Sequence, residues 1–196
     1  QGPVIAERIL ETIVATAHKI DPSGKVTGAM NHGRNEGGYS DVLDVVGYNY
    51  GDKGLAYVKD HRNYPRRIEF CTESTSFVST RGEYENNWEK GYVSNLDKWK
   101  PDWGPAPGED WADIVRYPYL GGIFVWTGFD YRGEPTPYLW PCVTSHFGIM
   151  DICGFPKDGY YGYKAAWSNK AGVHIFPHWN WKSKEGQLQK VQCYTN

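Results

Sequence analysis

Residues 4–19, VIAERILETIVATAHK, place apolar side chains at Ile5, Ile9, Ile13 and Ala17, with Leu10 and Val14 beside them. That spacing predicts a helix with one buried stripe, ended by the turn residues DPSG at 21–24. VTGAMN (26–31) reads as a strand, SDVLDV (40–45) as a short helix or turn opened by Ser40, and VVGYNY (45–50) as a second strand. LAYVKDHRNY (55–64) predicts a helix that stops before Pro65, and RIEFCTE (67–73) a third strand. After a loop rich in Trp, Pro and Gly from Arg81 to Gly108, EDWADIVRYPYL (109–120) predicts a helix reaching Tyr117. GGIFVWTG (121–128) then predicts a fourth strand and DGYYGYKAAWSNK (158–170) a last helix. The tail changes character: HIFPHWNW, a turn at 182–186 and QKVQCYTN read as a hairpin.

Strands alternating with helices imply parallel β-α units. Four such strands are too few for a complete (β/α)8 barrel of about 250 residues. The expected fold is therefore α/β, either a small open sheet or half of something larger, with the start of an all-β domain behind it. The boundary falls near Ala171–Val173, giving units 1–172 and 173–196.

The strand ends favour a barrel rim. Each apolar run gives way to residues able to do chemistry: Asn31 and His32, Asn49 and Tyr50, Glu73, and Trp126 with Asp130 close behind. Active sites of (β/α)8 barrels are assembled at that end of the strands. An open α/β sheet also binds ligands there, but usually with a Gly-rich phosphate turn, which this chain lacks. With a period of two, Glu69, Cys71 and Glu73 share one face, and Ile68, Phe70 and Thr72 the other. The apolar set suits covering helices, which turns Glu73 into the barrel mouth beside the small Ser74, Thr75 and Ser76. Glu69 is expected lower in the barrel, in a structural salt link to Arg66 or Arg67.

Charge and composition narrow the classes. The chain of 196 residues has a formal net charge of −2 and no strongly charged tail, so neither nucleic acid nor a membrane surface is implied as partner. Nine Trp and 15 Tyr raise the prospect of sugar contact, because flat rings stack on the apolar faces of sugars. Cys71, Cys142, Cys153 and Cys193 lie far apart without a C-x-x-C pair, which argues against zinc and for buried free thiols. His174 and His178 have metal-ligand spacing on a helix, but Pro177 and β-rich surroundings exclude that helix. No metal site is expected.

FCTESTSFVSTRGEY, GGIFVWTGFDYRGEPTPY, SHFGIMDICGFPKDGYYGYKAAW and HIFPHWNW…VQCYTN together resemble glycoside hydrolase family 2, the β-galactosidase-like enzymes, especially those of gut bacteria. The resemblance implies the C-terminal half of a (β/α)8 TIM barrel (strands 5–8) followed by the first strands of a β-sandwich domain, with Glu73 the catalytic nucleophile at the end of the seventh barrel strand. It implies that Tyr50, ending the sixth, hydrogen-bonds it, and that Trp126, ending the eighth, walls the sugar pocket. Asn31, His32, Asn49, Asp130 and Arg81 complete the expected substrate contacts, with Arg81 favouring ionised Glu73. Asn31 and His32 match no family residue securely. Ser76 and Phe147 stand where some relatives carry a sugar-binding His and an Asn.

The function implied is a retaining exo-β-glycosidase, most simply a β-galactosidase, acting through a glycosyl-enzyme intermediate. β-Glucuronidase, β-mannosidase and a non-catalytic sugar-binding module are the alternatives. The general acid/base Glu is expected upstream of Gln1, in the rest of the same enzyme chain, so this fragment is expected to be inactive alone. No cofactor is expected within it, whereas the full-length enzyme is open to magnesium or sodium. A homo-oligomer is left open, and a periplasmic or secreted location in a gut-type bacterium is preferred to a cytoplasmic one.

Overall fold

The computed structural model describes residues 2–31, 38–50, 56–96, 100–105, 108–182 and 184–196. The elements run α1 (Gly2–Ile20), β1 (Thr27–Met30), β2 (Val45–Asn49), α2 (Ala56–Asn63), β3 (Glu69–Thr75), α3 (Glu109–Arg116), β4 (Leu120–Trp126), α4 (Asp158–Trp167), β5 (Val173–Phe176) and β6 (Gln192–Thr195). The first four strands form one sheet in sequential order, with β1 and β4 at its edges. β5 and β6 form a separate ladder. No helix among the described residues is long and apolar enough to cross a membrane.

The chain divides into two compact units. The first gathers Gln1–Thr75, Trp103–Pro105 and Glu109–Val125, and the second Ser76–Asp102, Ala106–Gly108 and Trp126–Asn196.

In the first unit β1 and β2 pair in parallel, as do β2 and β3. One sheet face is covered by helices: Leu10 and Val14 of α1, and Ala56 and Tyr57 of α2, pack with Met30, Val46, Tyr48 and Leu120 into one core. Ile114 of α3 and Tyr117 lie against the same core. The exit of α1 is tied down twice. Asp21 accepts from the amides of Ser23 and Gly24, and His18 bonds Asp44, which also accepts the Val26 amide where β1 begins.

Two readings of the apolar pattern need correction here. On α1 the buried positions are Leu10 and Val14, whereas Ile5, Ile9 and Ile13 are more than half exposed. The apolar arc is wider than the strip the sheet can reach, and the isoleucine row falls outside it. α3 stops at Arg116, although the Tyr117 amide still donates to the Asp113 carbonyl and so extends the last turn.

The second unit is held by side chains more than by regular structure. Between Arg81 and Gly108 the described residues form turns without helix or strand. Val78, Val93, Tyr138 and Phe147 make one core, and Tyr84, Leu96 and Phe176 another. The terminal hairpin is present as the antiparallel β5–β6 pair. All four cysteines are free, as expected, but Cys71 alone is buried. Cys142 is half-buried, and Cys153 and Cys193 are exposed because they sit in a surface turn and on an open hairpin face.

Candidate active site

β3 carries Glu73, and the pairing of β2 with β3 decides where it points. Tyr48 lies level with Cys71, but the next residue, Asn49, lies level with Glu73, so Thr72 is an extra residue in β3. Such a bulge breaks the alternation of faces. Upstream of it, Glu69 and Cys71 lie level with Val46 and Tyr48, on the face covered by α1 and α2. The expected parity is therefore reversed for Glu69 and Cys71: their face, and not that of Phe70 and Thr72, meets the helices. Glu73 escapes that fate through the bulge, which sets it beside Asn49 on the opposite face.

The bulge is accommodated by a missing side chain. A Cβ on Gly47 would come 2.6 Å from Thr72 Cγ2, so glycine leaves the space that the Thr72 side chain occupies. From there the Thr72 hydroxyl donates to Asn49 Oδ1 at 3.1 Å, and the Asn49 amide donates to Glu73 Oε2 at 3.1 Å. Thr72 thus fixes which end of the Asn49 amide faces the carboxylate, a role that the sequence did not disclose. The backbone completes the junction, with the Tyr50 N–H donating to the Glu73 carbonyl at 2.7 Å. Tyr50 has φ 54°, a left-handed conformation that costs a non-glycine residue and is often found at functional positions.

Asn31 follows β1 on the same edge of the parallel sheet and is exposed. His32 lies outside the described residues. The hydroxyl residues after Glu73 do not form an open space: β3 runs on through Ser74 to Thr75, and Ser74, Thr75 and Ser76 are all buried. The strand begins and ends two residues later than its apolar pattern implied, and the chain turns at Thr75 and Ser76, both at positive φ.

The remaining expected contacts belong to the second unit. Trp126 closes β4, half-buried against the Val78 core and edge-on to Tyr131. Arg81 donates from Nε to Asp151 at 2.5 Å and lies over the Phe155 ring. Asp130 is buried, accepting from the Gly148 amide and from Lys157 Nζ, both at 2.8 Å. The same Lys157, wholly buried, also donates to the carbonyls of Ser79 and His146. One ammonium therefore joins the segments that follow β3 and β4 to the start of α4. Burial pushes the Asp130 carboxyl up and the Lys157 ammonium down, and the attraction between them opposes both shifts. His146 beside them is lowered to about 4 by burial and then by the Lys157 charge, so it is neutral.

Glu69 contradicts its expected salt link. It is fully buried, and neither carboxylate oxygen has a hydrogen-bond partner among the described residues. Arg67 turns instead to Asp60 and Asp41. Burial first, and then the Asp60 charge, raise Glu69 to about 7, with Arg67 opposing.

No family model matches the chain. β-Galactosidase BoGH2A from Bacteroides ovatus is 38 % identical over 96 % of the chain, which spans 24 % of that protein. A β-glycosidase structure from Bacteroides vulgatus matches with TM-score 0.78 and 28 % identity, over 96 % of this chain and 28 % of its own. The fold is shared further with a glycosyl hydrolase family 2 member from Bacteroides cellulosilyticus, at TM-score 0.72 and 21 % identity over 97 % of this chain and 25 % of its own. It is shared too with β-glucuronidase 3 of Bacteroides uniformis, at TM-score 0.64 and 22 % identity over 96 % of this chain and 26 % of its own. The chain thus spans about a quarter of the length of these relatives, and over that quarter it belongs to glycoside hydrolase family 2.

Proposed function

We propose that the chain supplies the nucleophile half of a retaining exo-β-glycosidase, with a β-galactoside as the preferred substrate. The observation that carries this reading is the Asn49–Glu73 hydrogen bond at the C-terminal edge of parallel strands. Glu73 attacks the anomeric carbon as the bond to the leaving oxygen breaks, and a second carboxylic acid gives that oxygen its proton. The same group, now a carboxylate, takes a proton from water as the water displaces Glu73 from the sugar. Two such groups act about 5–5.5 Å apart in retaining enzymes. The second is assigned to the part of the relatives' length that this chain does not span, so the isolated chain turns over glycosides negligibly. Tyr50 is assigned to the nucleophile, and Trp126, Asn49 and Asn31 to the sugar, while Asp130 and Arg81 act through the frame of the second unit.

The same reading makes the sheet half of a (β/α)8 barrel wall, with residues 173–196 opening a β domain. Its support is sequential strand order with helices on one face, and apolar surface left bare on the other side of both layers. Phe124 of β4 is 62 % exposed beside Phe70, and the Ile5–Ile9–Ile13 row of α1 is open as well. The remainder of the barrel would cover both. Among the described residues no three His, Cys, Asp or Glu side chains converge, and magnesium or sodium is assigned to the full-length enzyme.

The test is covalent trapping in the full-length enzyme. A 2-deoxy-2-fluoro-β-galactoside with a good leaving group should label a peptide containing Glu73, and Glu73→Gln should lower kcat by at least about 10³-fold. Label on another residue, or retained turnover in Glu73→Gln, overturns the assignment. A non-catalytic sugar binder would show no chemical step to lose. Aryl galactosides, glucuronides and mannosides compared on the wild-type enzyme decide the sugar.

A further inference from the structure

Two tight turns of the second unit meet at an aromatic groove of about 490 Å³ that has no part in the site described above. Ligand pockets commonly hold about 300–1,000 Å³. One wall is the turn 87–92, closed by paired backbone bonds between Asn87 and Tyr92 and by the Lys90 amide donating to Asn87 Oδ1. The other is the turn 135–142, closed by Tyr138 N–H to the Pro135 carbonyl and Cys142 N–H to the Leu139 carbonyl. The turns are locked together: the Tyr138 hydroxyl donates to the Tyr92 carbonyl, and a Cβ on Gly91 would stand 3.3 Å from Cys142 Sγ.

This braced frame holds two indoles out in solvent. Trp140 is 83 % exposed. Trp88 is 64 % exposed, held upright by an edge-on contact with the buried Tyr138 ring at 4.6 Å. Their flat faces suit the C–H faces of pyranose rings, and the exposed Glu89 and Lys90 on the rim can exchange hydrogen bonds with hydroxyl groups.

We propose that this groove binds a neutral oligosaccharide, with Trp88 and Trp140 as stacking platforms. The protein then handles glycan chains of several residues and is not limited to a single terminal sugar. This rests on the glycosidase reading and adds to it the length of the substrate.

The probes are β-1,4-linked gluco-, manno- and galactotetraose, titrated by calorimetry into full-length Glu73→Gln enzyme so that nothing is hydrolysed. At least one tetraose should bind, and Trp88→Ala or Trp140→Ala should each weaken it by about three- to tenfold. Trp140→Tyr, which keeps a flat ring, should retain most of the affinity. With Glu73 restored, both alanine variants should leave turnover of a 4-nitrophenyl monosaccharide unchanged. The proposal falls if no tetraose binds, if binding ignores both indoles, or if aryl-glycoside turnover drops in step with binding. It falls too if the variants dissociate a dimer while sugar affinity holds, which would make the groove a contact between copies. The glycosidase reading fails on a different result, retained turnover in Glu73→Gln, so the two are separable.

Discussion

Among the described residues each of the two units buries one carboxylate or ammonium group completely, and they treat it in opposite ways. Lys157 in the second unit has three acceptors within 3.1 Å, one of them a carboxylate. Glu69 in the first has none among the described residues, and it lies near Asp60, a charge of its own sign. A buried charge with a full set of partners can stay charged, whereas one without them lowers its cost by taking up a proton. Lys157 therefore acts as a rivet for a unit poor in helix and strand, and Glu69 as an acid that burial shifts toward its protonated form in a unit that its sheet already holds.

The sharpest way to break this contrast is Lys157→Met. It leaves Asp130 buried without its cation, and urea denaturation should show a loss of about 3–5 kcal/mol. A loss under about 1 kcal/mol would mean that the rivet is ornamental.

Next comes the pH profile. Glu69 is raised from 4.5 to about 7, so between those values the folded state holds a proton that the unfolded state has released. Its contribution is full below 4.5 and lost as pH rises to 7, on the order of 2 kcal/mol. His146 has the opposite sign: lowered from 6.5 to about 4, it costs stability as pH falls through that range. Glu69→Gln should flatten the first slope and leave the second. Asp60, Arg67 and Tyr119 are the charged or titratable groups that act on or are perturbed by Glu69, and Asp41 holds Arg67 on its far side. Charge reversal at Asp60 would therefore disturb the same slope.

Gly47→Ala probes the site through its frame. The new methyl group meets Thr72, and overpacking of this kind costs about 1–3 kcal/mol. Because Thr72 orients Asn49, kcat of the full-length enzyme, measured without denaturant where the fold is intact, should fall alongside the lowered urea midpoint. An unchanged kcat would detach the bulge from the chemistry. The smallest effect belongs to Arg81→Ala, since its pair with Asp151 is half-exposed, and about 0.5 kcal/mol is expected.

Periodicity made most of the elements legible. α1, α2 and α4, the four sheet strands and the terminal hairpin all lie within a few residues of where the pattern puts them, and the capable residues do cluster at strand ends. What the pattern missed has physical causes. Ile5, Ile9 and Ile13 belong to an apolar arc, and a sequence shows an arc without showing which part has a partner. Glu69 was paired on paper with the nearest cations in sequence, but Arg67 found Asp60 and Asp41 in space. The apolar run gave out at Glu73 and so left Ser74 and Thr75 outside the strand, yet they continue β3. The bond that Asn49 donates to the Glu73 carboxylate was not legible either, because it depends on the register of two strands.

Thr72 behaves like a single inserted letter in a text read two letters at a time. Before it, β3 speaks to the helices, and after it the same strand speaks to whatever occupies the other side. Were Thr72 instead paired in step, without the bulge, the rhythm would run on and turn Glu73 inward with Glu69 and Cys71, leaving every residue in place and the message lost. Comparisons between such chains should therefore weigh strand register as closely as identities, because a shift of one there exchanges chemistry for scaffold.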